Sequence, residues 1–181
     1  MRAAIFLDRD GVINVDRYYV SRIEDFQFID GAIHALRTLG QAGFPLVIVT
    51  NQSAIGRGLY SLDDFQTLNR WMLAVLADHG VAITDVYYCP HAPEANCDCR
   101  KPAPGMLLRA AEEHQLNLEH SWMIGDKPTD IEAGVRAGVP HTIQVLSGQA
   151  VKASESKAVF VCPSISDTVP IIFRVAMGAP A

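Results

Sequence analysis

The sequence has little of what marks membrane-bound or nucleic-acid-binding chains. No apolar run approaches the ~20 residues that a helix needs to cross a bilayer, and the apolar stretch 3–7 is too short for a signal peptide. The formal net charge is -5, without the clustered basic residues that nucleic acids and anionic membrane surfaces require. We therefore expect a cytoplasmic protein whose partner is neither a nucleic acid nor a membrane.

The composition also gives no sign of a disordered chain or of a fold that depends on disulfides. The 181 residues are 49% hydrophobic and 19% charged, which is ordinary for a globular domain. A chain of this length can bury a full hydrophobic core without disulfides, and it contains no internal repeat or low-complexity tract. We expect a single domain over residues 1–181 that acts as a monomer, with a polar surface loop over 148–157.

Short apolar runs alternate with helical patterns along the chain. The runs end abruptly in polar residues and predict buried strands over 3–7, 45–50, 86–89, 122–124 and 141–146. Amphipathic patterns predict helices over 32–42, 61–79, 104–114 and 130–137, and a short C-terminal helix interrupted by Pro170. The alternation predicts an α/β fold, a Rossmann-like three-layer sandwich with a central parallel sheet. Such sheets bind ligands beyond the carboxyl ends of their strands.

Two aspartates follow the first predicted strand. Side chains two residues apart in an extended segment project the same way, so Asp8 and Asp10 would lie together. Paired carboxylates suit a hard cation such as Mg²⁺, and Gly11 permits a tight turn after them. An Asp-rich turn that only caps the strand would show the same pattern, so the pair alone leaves both interpretations open.

Three other strand-end loops offer the remaining parts of a phosphoryl-transfer site. Thr50 supplies a hydroxyl, Lys101 a compact cation and Asp126 a further metal carboxylate. Each also has a structural alternative: a β-branched strand end, a solvated charge, and a helix N-cap region. Their joint occurrence at strand ends favours one catalytic site over several unrelated structural roles.

Soft metal ligands cluster in the loop 89–99. They are Cys89, His91, Cys97 and Cys99, in the order C-x-H, five residues, C-x-C. Cys₃His is an accepted closed ligand set for structural Zn²⁺, and a reducing cytosol favours metal over disulfides; free loop thiols are the alternative. With its ligand set complete, such a zinc would leave no position for substrate and would fix the loop that delivers Arg100.

The four motifs Asp-x-Asp-Gly, Thr-Asn-Gln, Arg-Lys-Pro and Gly-Asp-x-x-x-Asp occur in this order. Together they resemble the motifs of the haloacid dehalogenase (HAD) superfamily of phosphatases. The resemblance implies that Asp8 attacks phosphorus and forms an aspartyl-phosphate, while Asp10 protonates the leaving oxygen and later deprotonates water. It also implies a catalytic Mg²⁺ bound by Asp8, the backbone carbonyl of Asp10, and Asp126.

The same resemblance assigns roles to the remaining motif residues. Thr50 and Lys101 would hold the phosphoryl oxygens, and Asp130 would support the metal site from outside its coordination sphere. Substrate contacts would map onto Asp16, Arg17, Tyr18, Tyr19, Asn51, Gln52, Ser53, Arg100 and Lys127. Of these, Arg100 and Lys127 are physically suited to a second phosphate group.

The cysteine-rich loop that runs into Arg-Lys-Pro narrows the resemblance to one subgroup, over about residues 3–146. The subgroup holds heptose bisphosphate phosphatases and histidinol-phosphate phosphatases. Segments 8–20 and 50–58 look closer to the heptose enzymes, whereas the short gap between His91 and Cys97 occurs in both. The resemblance implies a compact HAD-like domain without a large cap, which takes the 7-phosphate from a small phosphorylated sugar used in bacterial surface saccharides. Histidinol phosphate stays open as the alternative substrate.

Overall fold

The computed structural model of the protein describes residues 1–148 and 153–178. The strands are β1 Ile5–Leu7, β2 Leu46–Asn51, β3 Asp85–Cys89, β4 Trp122–Gly125, β5 His141–Val145 and β6 Phe160–Cys162. The helices are α1 Ala32–Gln41, α2 Ser53–Gly56, α3 Leu62–Asp78, α4 Gly105–Glu113, α5 Pro128–Ala137 and α6 Ile165–Ala176. Positions 149–152 of the expected surface loop, and positions 179–181 of the expected domain, lie outside the described residues.

The sheet places two strand ends side by side at its centre. Within the described residues six strands pair in parallel, in the order β3-β2-β1-β4-β5-β6. The chain runs outward from β1 through β2 and β3, and then returns to β4 on the other side of β1. This reversal is a topological switch point, where a crevice opens beyond the carboxyl ends of the strands. Asp8 and Asp126 follow directly on β1 and β4, and therefore lie at that crevice.

Both faces of the sheet are buried, which explains the continuous apolar runs of the central strands β1, β2 and β4. On one face, side chains such as Ile5 and Ile48 pack in a core with apolar residues of α1, α3 and α6. On the other face, Phe6 and Val49 pack in a second core with α4 and α5. The predicted fold class is confirmed as a three-layer α/β sandwich, and the described residues contain no large cap. None of their helices is long and apolar enough to span a bilayer.

Two elements differ from the sequence expectations. β6 is absent from the predicted strands, although residues 158–162 form a short apolar run; pairing with β5 shows that part of this run is a strand. The predicted interruption at Pro170 is wrong, since α6 continues through this residue. A capping box of Ser164 and Asp167 begins the helix, and Ile172 is fully buried. Capping and packing thus outweigh the backbone hydrogen bond that proline removes.

Candidate active site

A buried lysine lies against the proposed nucleophile. Lys101 Nζ is 3.0 Å from Asp8 Oδ1 and 2.7 Å from Asp130 Oδ1, and it donates to the Val49 carbonyl at 2.7 Å. The Val49 carbonyl accepts one ammonium hydrogen, and the two carboxylates pair with the positive charge at these distances. Burial raises the pKa of Asp8, and the positive charge of Lys101 opposes that rise. The ammonium thus supplies counter-charge to two largely buried carboxylates.

Asn51, the last residue of β2, holds the backbone of this lysine in place. Its Nδ2 donates to the Lys101 carbonyl at 3.0 Å, and its Oδ1 accepts from the Lys101 N–H at 3.1 Å. Lys101 comes from an irregular segment fifty residues further along the chain. The two hydrogen bonds therefore fix the backbone of Lys101 to the end of a central strand.

Asp10 accepts hydrogen bonds on both carboxylate oxygens. Arg9 Nη2 lies 3.0 Å from each oxygen, Asn14 Nδ2 donates to Oδ1 at 2.9 Å, and Gln52 Nε2 donates to Oδ2 at 3.1 Å. Burial raises the pKa of Asp10, but the Arg9 charge and these hydrogen bonds outweigh it, so the pKa lies below its usual range. Without substrate, Asp10 is therefore an ionised carboxylate that can accept a proton.

Gln52 joins Asp10 to the next motif. The same Nε2 that donates to Asp10 also donates to Thr50 Oγ1 at 2.9 Å. The Tyr60 hydroxyl donates to Gln52 Oε1, and burial raises the pKa of Tyr60 to about 12, so this hydroxyl keeps its proton at neutral pH. The amide of Gln52 is thereby held with its nitrogen toward Asp10 and Thr50.

Three buried carboxylates can hold a cation at the switch point. Oxygens of Asp8, Asp126 and Asp130 lie within 4.8 Å of one another, and hard oxygen donors of this kind match Mg²⁺. Lys127 Nζ lies 3.4 Å from Asp126 Oδ2 and 3.1 Å from Asp16 Oδ2. Burial lowers the pKa of Lys127, but the surrounding carboxylates outweigh it and raise that pKa above its ordinary value.

Gly11 lets the backbone approach this carboxylate group. Its φ is 85°, in the left-handed region that favours glycine, and an added Cβ would lie 2.5 Å from Asp126 Cγ and Oδ2. The Gly11 carbonyl accepts a hydrogen bond from Ser147 Oγ at 2.8 Å. A side chain at position 11 would therefore displace a proposed metal ligand.

A cavity of about 400 Å³ opens above these groups. Its lining includes most of the predicted catalytic and substrate-contacting residues: Asp8, Asp10, Asp16, Tyr18, Tyr19, Thr50, Asn51, Gln52, Ser53, Arg100, Lys101 and Lys127. Asp126 is fully buried and does not appear in this lining. Arg17 is exposed and, in the described part of the chain, is not among the lining residues; its guanidinium donates to Gln27 Oε1 at 2.7 Å.

The structure also shows residues that the sequence reasoning missed. Tyr60 and Thr129 line the cavity, while Arg9 and Asn14 contact Asp10 from within the protein. Arg9 lies inside the Asp-x-Asp motif, but at the position that the motif leaves unspecified. Thr129 lies at an unspecified position of the Gly-Asp-x-x-x-Asp motif, whereas Asn14 and Tyr60 lie outside the four motifs and reach the site only in the folded chain.

The predicted zinc ligands converge in the loop after β3. Cys99 Sγ lies 3.2 Å from Cys89 Sγ and 3.4 Å from Cys97 Sγ, and His91 Nδ1 lies 3.3 Å from Cys99 Sγ. These distances approach the ~3.8 Å edge of a tetrahedron with ~2.3 Å Zn–S bonds, and they exceed the ~2.05 Å of a disulfide. The donor set therefore fits a closed four-coordinate metal site.

This loop is also tied to the β2 end of the cavity. The Gln52 N–H donates to the Cys89 carbonyl and the Gly56 N–H donates to the Pro90 carbonyl, both at 2.8 Å. Burial raises the pKa values of the Cys89 and Cys99 thiols, whereas hydrogen bonds from these two thiols outweigh burial at Cys97 and lower its pKa. One thiol of the cluster is therefore the first to ionise.

Comparison with known proteins finds similar phosphatases. A HAD-hydrolase-like family model matches residues 98–168. The chain is 47% identical to D-glycero-beta-D-manno-heptose-1,7-bisphosphate 7-phosphatase of Pasteurella multocida (strain Pm70), over 95% of this chain and 97% of that protein. It is 46% identical to the protein of the same name from Escherichia coli (strain K12), over 91% of this chain and 90% of that protein.

A solved structure agrees with these relatives. The D,D-heptose 1,7-bisphosphate phosphatase from B. bronchiseptica, complexed with magnesium and phosphate, superposes with a TM-score of 0.88. The two chains are 29% identical, and the match covers 97% of this chain and 99% of the other.

Proposed function

The chain belongs to the HAD-like family of D-glycero-beta-D-manno-heptose-1,7-bisphosphate 7-phosphatases, and from this premise we propose that it takes the 7-phosphate from D-glycero-D-manno-heptose 1,7-bisphosphate. The chain is thus a phosphoric monoester hydrolase. The observation that carries the proposed mechanism is the placement of Asp8 beside a buried lysine, 3.0 Å from its ammonium, with Asp10 lining the same cavity.

In the proposed first step, a carboxylate oxygen of Asp8 attacks the phosphorus of the 7-phosphate. The bond from phosphorus to the sugar oxygen breaks, and this oxygen takes a proton from Asp10. The pKa of Asp10 is low without substrate, and the negative charge of an arriving phosphate raises it, which favours the protonated acid. Lys101 and Thr50 hold the phosphoryl oxygens.

In the second step, Asp10 acts in its ionised form. It takes a proton from a water molecule whose oxygen attacks the phosphorus of the aspartyl-phosphate. The bond from phosphorus to Asp8 breaks, inorganic phosphate leaves, and the Asp8 carboxylate is restored. The hydrogen bonds from Arg9, Asn14 and Gln52 orient Asp10 for this transfer.

Two metals belong to the proposal. Asp8, Asp126 and the backbone carbonyl of Asp10 would hold Mg²⁺, with Asp130 close behind them. When bound, Mg²⁺ supplies positive charge that neutralises the phosphoryl oxygens. Zn²⁺ would be held by the cluster in the loop 89–99, where it fixes the loop that leads to Arg100 and takes no part in the chemistry.

Two cations in the cavity support a bisphosphate substrate. Arg100 and Lys127 line the same cavity as Asp8, and so a sugar could present one phosphate to the nucleophile and the other to these side chains. Histidinol phosphate carries a cationic amine and imidazole instead, which these groups would repel. The aromatic rim of Tyr18 and Tyr19 would cover the sugar. Contact by Arg17 stays a prediction, and would require its guanidinium to leave Gln27.

We further propose that the enzyme acts in the cytoplasm as a monomer with one domain. The test of function is phosphate release by the purified protein with Mg²⁺, from the heptose bisphosphate and from histidinol phosphate. We expect a large preference for the bisphosphate, and the opposite preference would overturn the substrate assignment. Asp8→Asn should be inactive, whereas Asp85→Asn, which alters an exposed aspartate of β3, serves as the matched control. An active Asp8→Asn protein would refute the nucleophile.

A further inference from the structure

Arg9 lies between the two site aspartates and is completely buried. Its side chain is 0% exposed, whereas Asp8 and Asp10 line the cavity. Neighbouring side chains of an extended segment point to opposite sides, so the arginine is directed into the protein. Taking a guanidinium out of water is unfavourable unless its partners compensate.

One nitrogen of this guanidinium makes all of its hydrogen bonds to the described residues. Nη2 is 3.0 Å from both carboxylate oxygens of Asp10 and donates to the Val20 carbonyl at 3.1 Å. The guanidinium carbon lies 5.7 Å from the centre of the Phe65 ring. Nε and Nη1 have no hydrogen-bond partner among the described residues. A buried cation is thus committed to a single carboxylate, and part of its donor capacity stays unused.

Stability does not account for this arrangement. Well-packed apolar side chains in place of a buried ion pair often leave a protein as stable or more stable, and buried N–H groups without acceptors add a further cost. Position 9 has the Phe65 ring as a neighbour, against which a leucine or methionine could pack. The charge at this position therefore serves the group that it contacts, which is Asp10.

We propose that Arg9 is a positioning residue that holds the Asp10 carboxylate in the orientation needed for proton transfer. The proposal rests on the proposed function, in which Asp10 is the acid and the base. The Val20 carbonyl and the Phe65 ring hold the guanidinium, and the guanidinium contacts both oxygens of Asp10. Rotation of the carboxylate would break the contacts on both oxygens.

The leaving group distinguishes this role from a general structural one. A sugar alkoxide is a poor leaving group that needs the proton of Asp10, whereas p-nitrophenolate leaves without one. The value of kcat/KM reports steps up to the first irreversible one, which is transfer of phosphate to Asp8. Loss of Arg9 should therefore lower kcat/KM for the heptose bisphosphate and leave kcat/KM for p-nitrophenyl phosphate unchanged.

The experiment compares Arg9→Met and Arg9→Lys in the wild-type and Asp10→Asn backgrounds. A reacting group displaced by ~1 Å costs on the order of 10²-fold, and we expect this loss in kcat of Arg9→Met on the bisphosphate, with KM unchanged. Arg9→Lys keeps the charge but not the planar fork, and should lose less. Neither change should alter the residual rate in the Asp10→Asn background. Arg109→Met, at an exposed arginine of α4, is the control.

Several results would overturn the proposal. These are a wild-type kcat in Arg9→Met, an equal loss in the Asp10→Asn background, and an equal loss of kcat/KM on both substrates. If Arg9→Met does not fold, Arg9→Lys provides the same comparisons. A wild-type protein that does not hydrolyse the bisphosphate would instead refute the proposed function, and Arg9 is then tested with an alkyl phosphate that the wild type accepts.

Discussion

Lys101→Met tests the charge balance at the centre of the site. The substitution removes an ammonium that lies 3.0 Å from Asp8 and 2.7 Å from Asp130, in side chains no more than 6% exposed. Both carboxylates would then be buried without this counter-charge. Removal of one partner from a buried ion pair costs about 3–5 kcal/mol. For a domain of this size, such a loss lowers the thermal midpoint by about 6–20 °C.

Lys127→Met is the matched comparison for this prediction. Lys127 also pairs with two aspartates, at 3.1 Å and 3.4 Å, but its side chain is 32% exposed. Solvent screens its charge, and we expect a loss of about 1 kcal/mol or less. Both variants therefore remove an ammonium group from the same cavity, but the ammonium of Lys101 is buried and that of Lys127 is partly exposed.

The assay is urea unfolding of both variants in metal-free buffer, followed by circular dichroism. Equal slopes against urea would show that the variants differ in stability alone. Added Mg²⁺ should restore more stability to Lys101→Met, because a cation bound by Asp8 replaces part of the missing charge. Equal destabilisation of the two variants, or a Lys101→Met protein as stable as the wild type, would refute the reasoning.

Three further substitutions test other parts of the site. Cys99→Ser should abolish the binding of about one zinc per chain, measured by metal analysis of protein purified without chelator; wild-type zinc content would contradict the Cys₃His site. Gly11→Ala should lower the thermal midpoint and the activity, because its Cβ would lie 2.5 Å from Asp126 Cγ. Gly43→Ala shares the positive φ but has no atom within 4 Å, and should cost only the backbone strain. Asn51→Ala should lower kcat about 10²-fold by releasing the catalytic lysine; an unchanged kcat would refute its role.

The sequence predicts this site well where the chemistry follows from position along a strand. Asp8, Thr50 and Asp126 lie at or just beyond the ends of β1, β2 and β4, and parallel strands bring their carboxyl ends to one edge of the sheet. The structure brings these residues together as that rule requires. Lys101 was found through its motif, although only the Asn51 contact explains how an irregular segment places it.

The sequence pattern did not predict the side chains that contact the site residues from inside the protein. A motif written as Asp-x-Asp treats its middle residue as unspecified, so the burial of Arg9 against Asp10 could not be foreseen. The contact of Tyr60 with Gln52 depends on the turn after α2, which is too short for any periodic signal. β6 was missed although its segment is apolar, because the run is short and the pairing with β5 is what identifies it as a strand.

The crowded surroundings of the Lys101 ammonium have a thermodynamic consequence. It donates to the Val49 carbonyl and lies within ion-pair distance of Asp8 and Asp130, so a phosphate oxygen must compete with these groups for it. A divalent cation on Asp8 would free the lysine from that carboxylate, and a phosphate would in turn compensate the charge of the cation. Binding of the two ions is then reciprocal, so that each raises the affinity of the other by the same factor. The magnesium dependence of phosphate affinity should therefore equal the phosphate dependence of magnesium affinity.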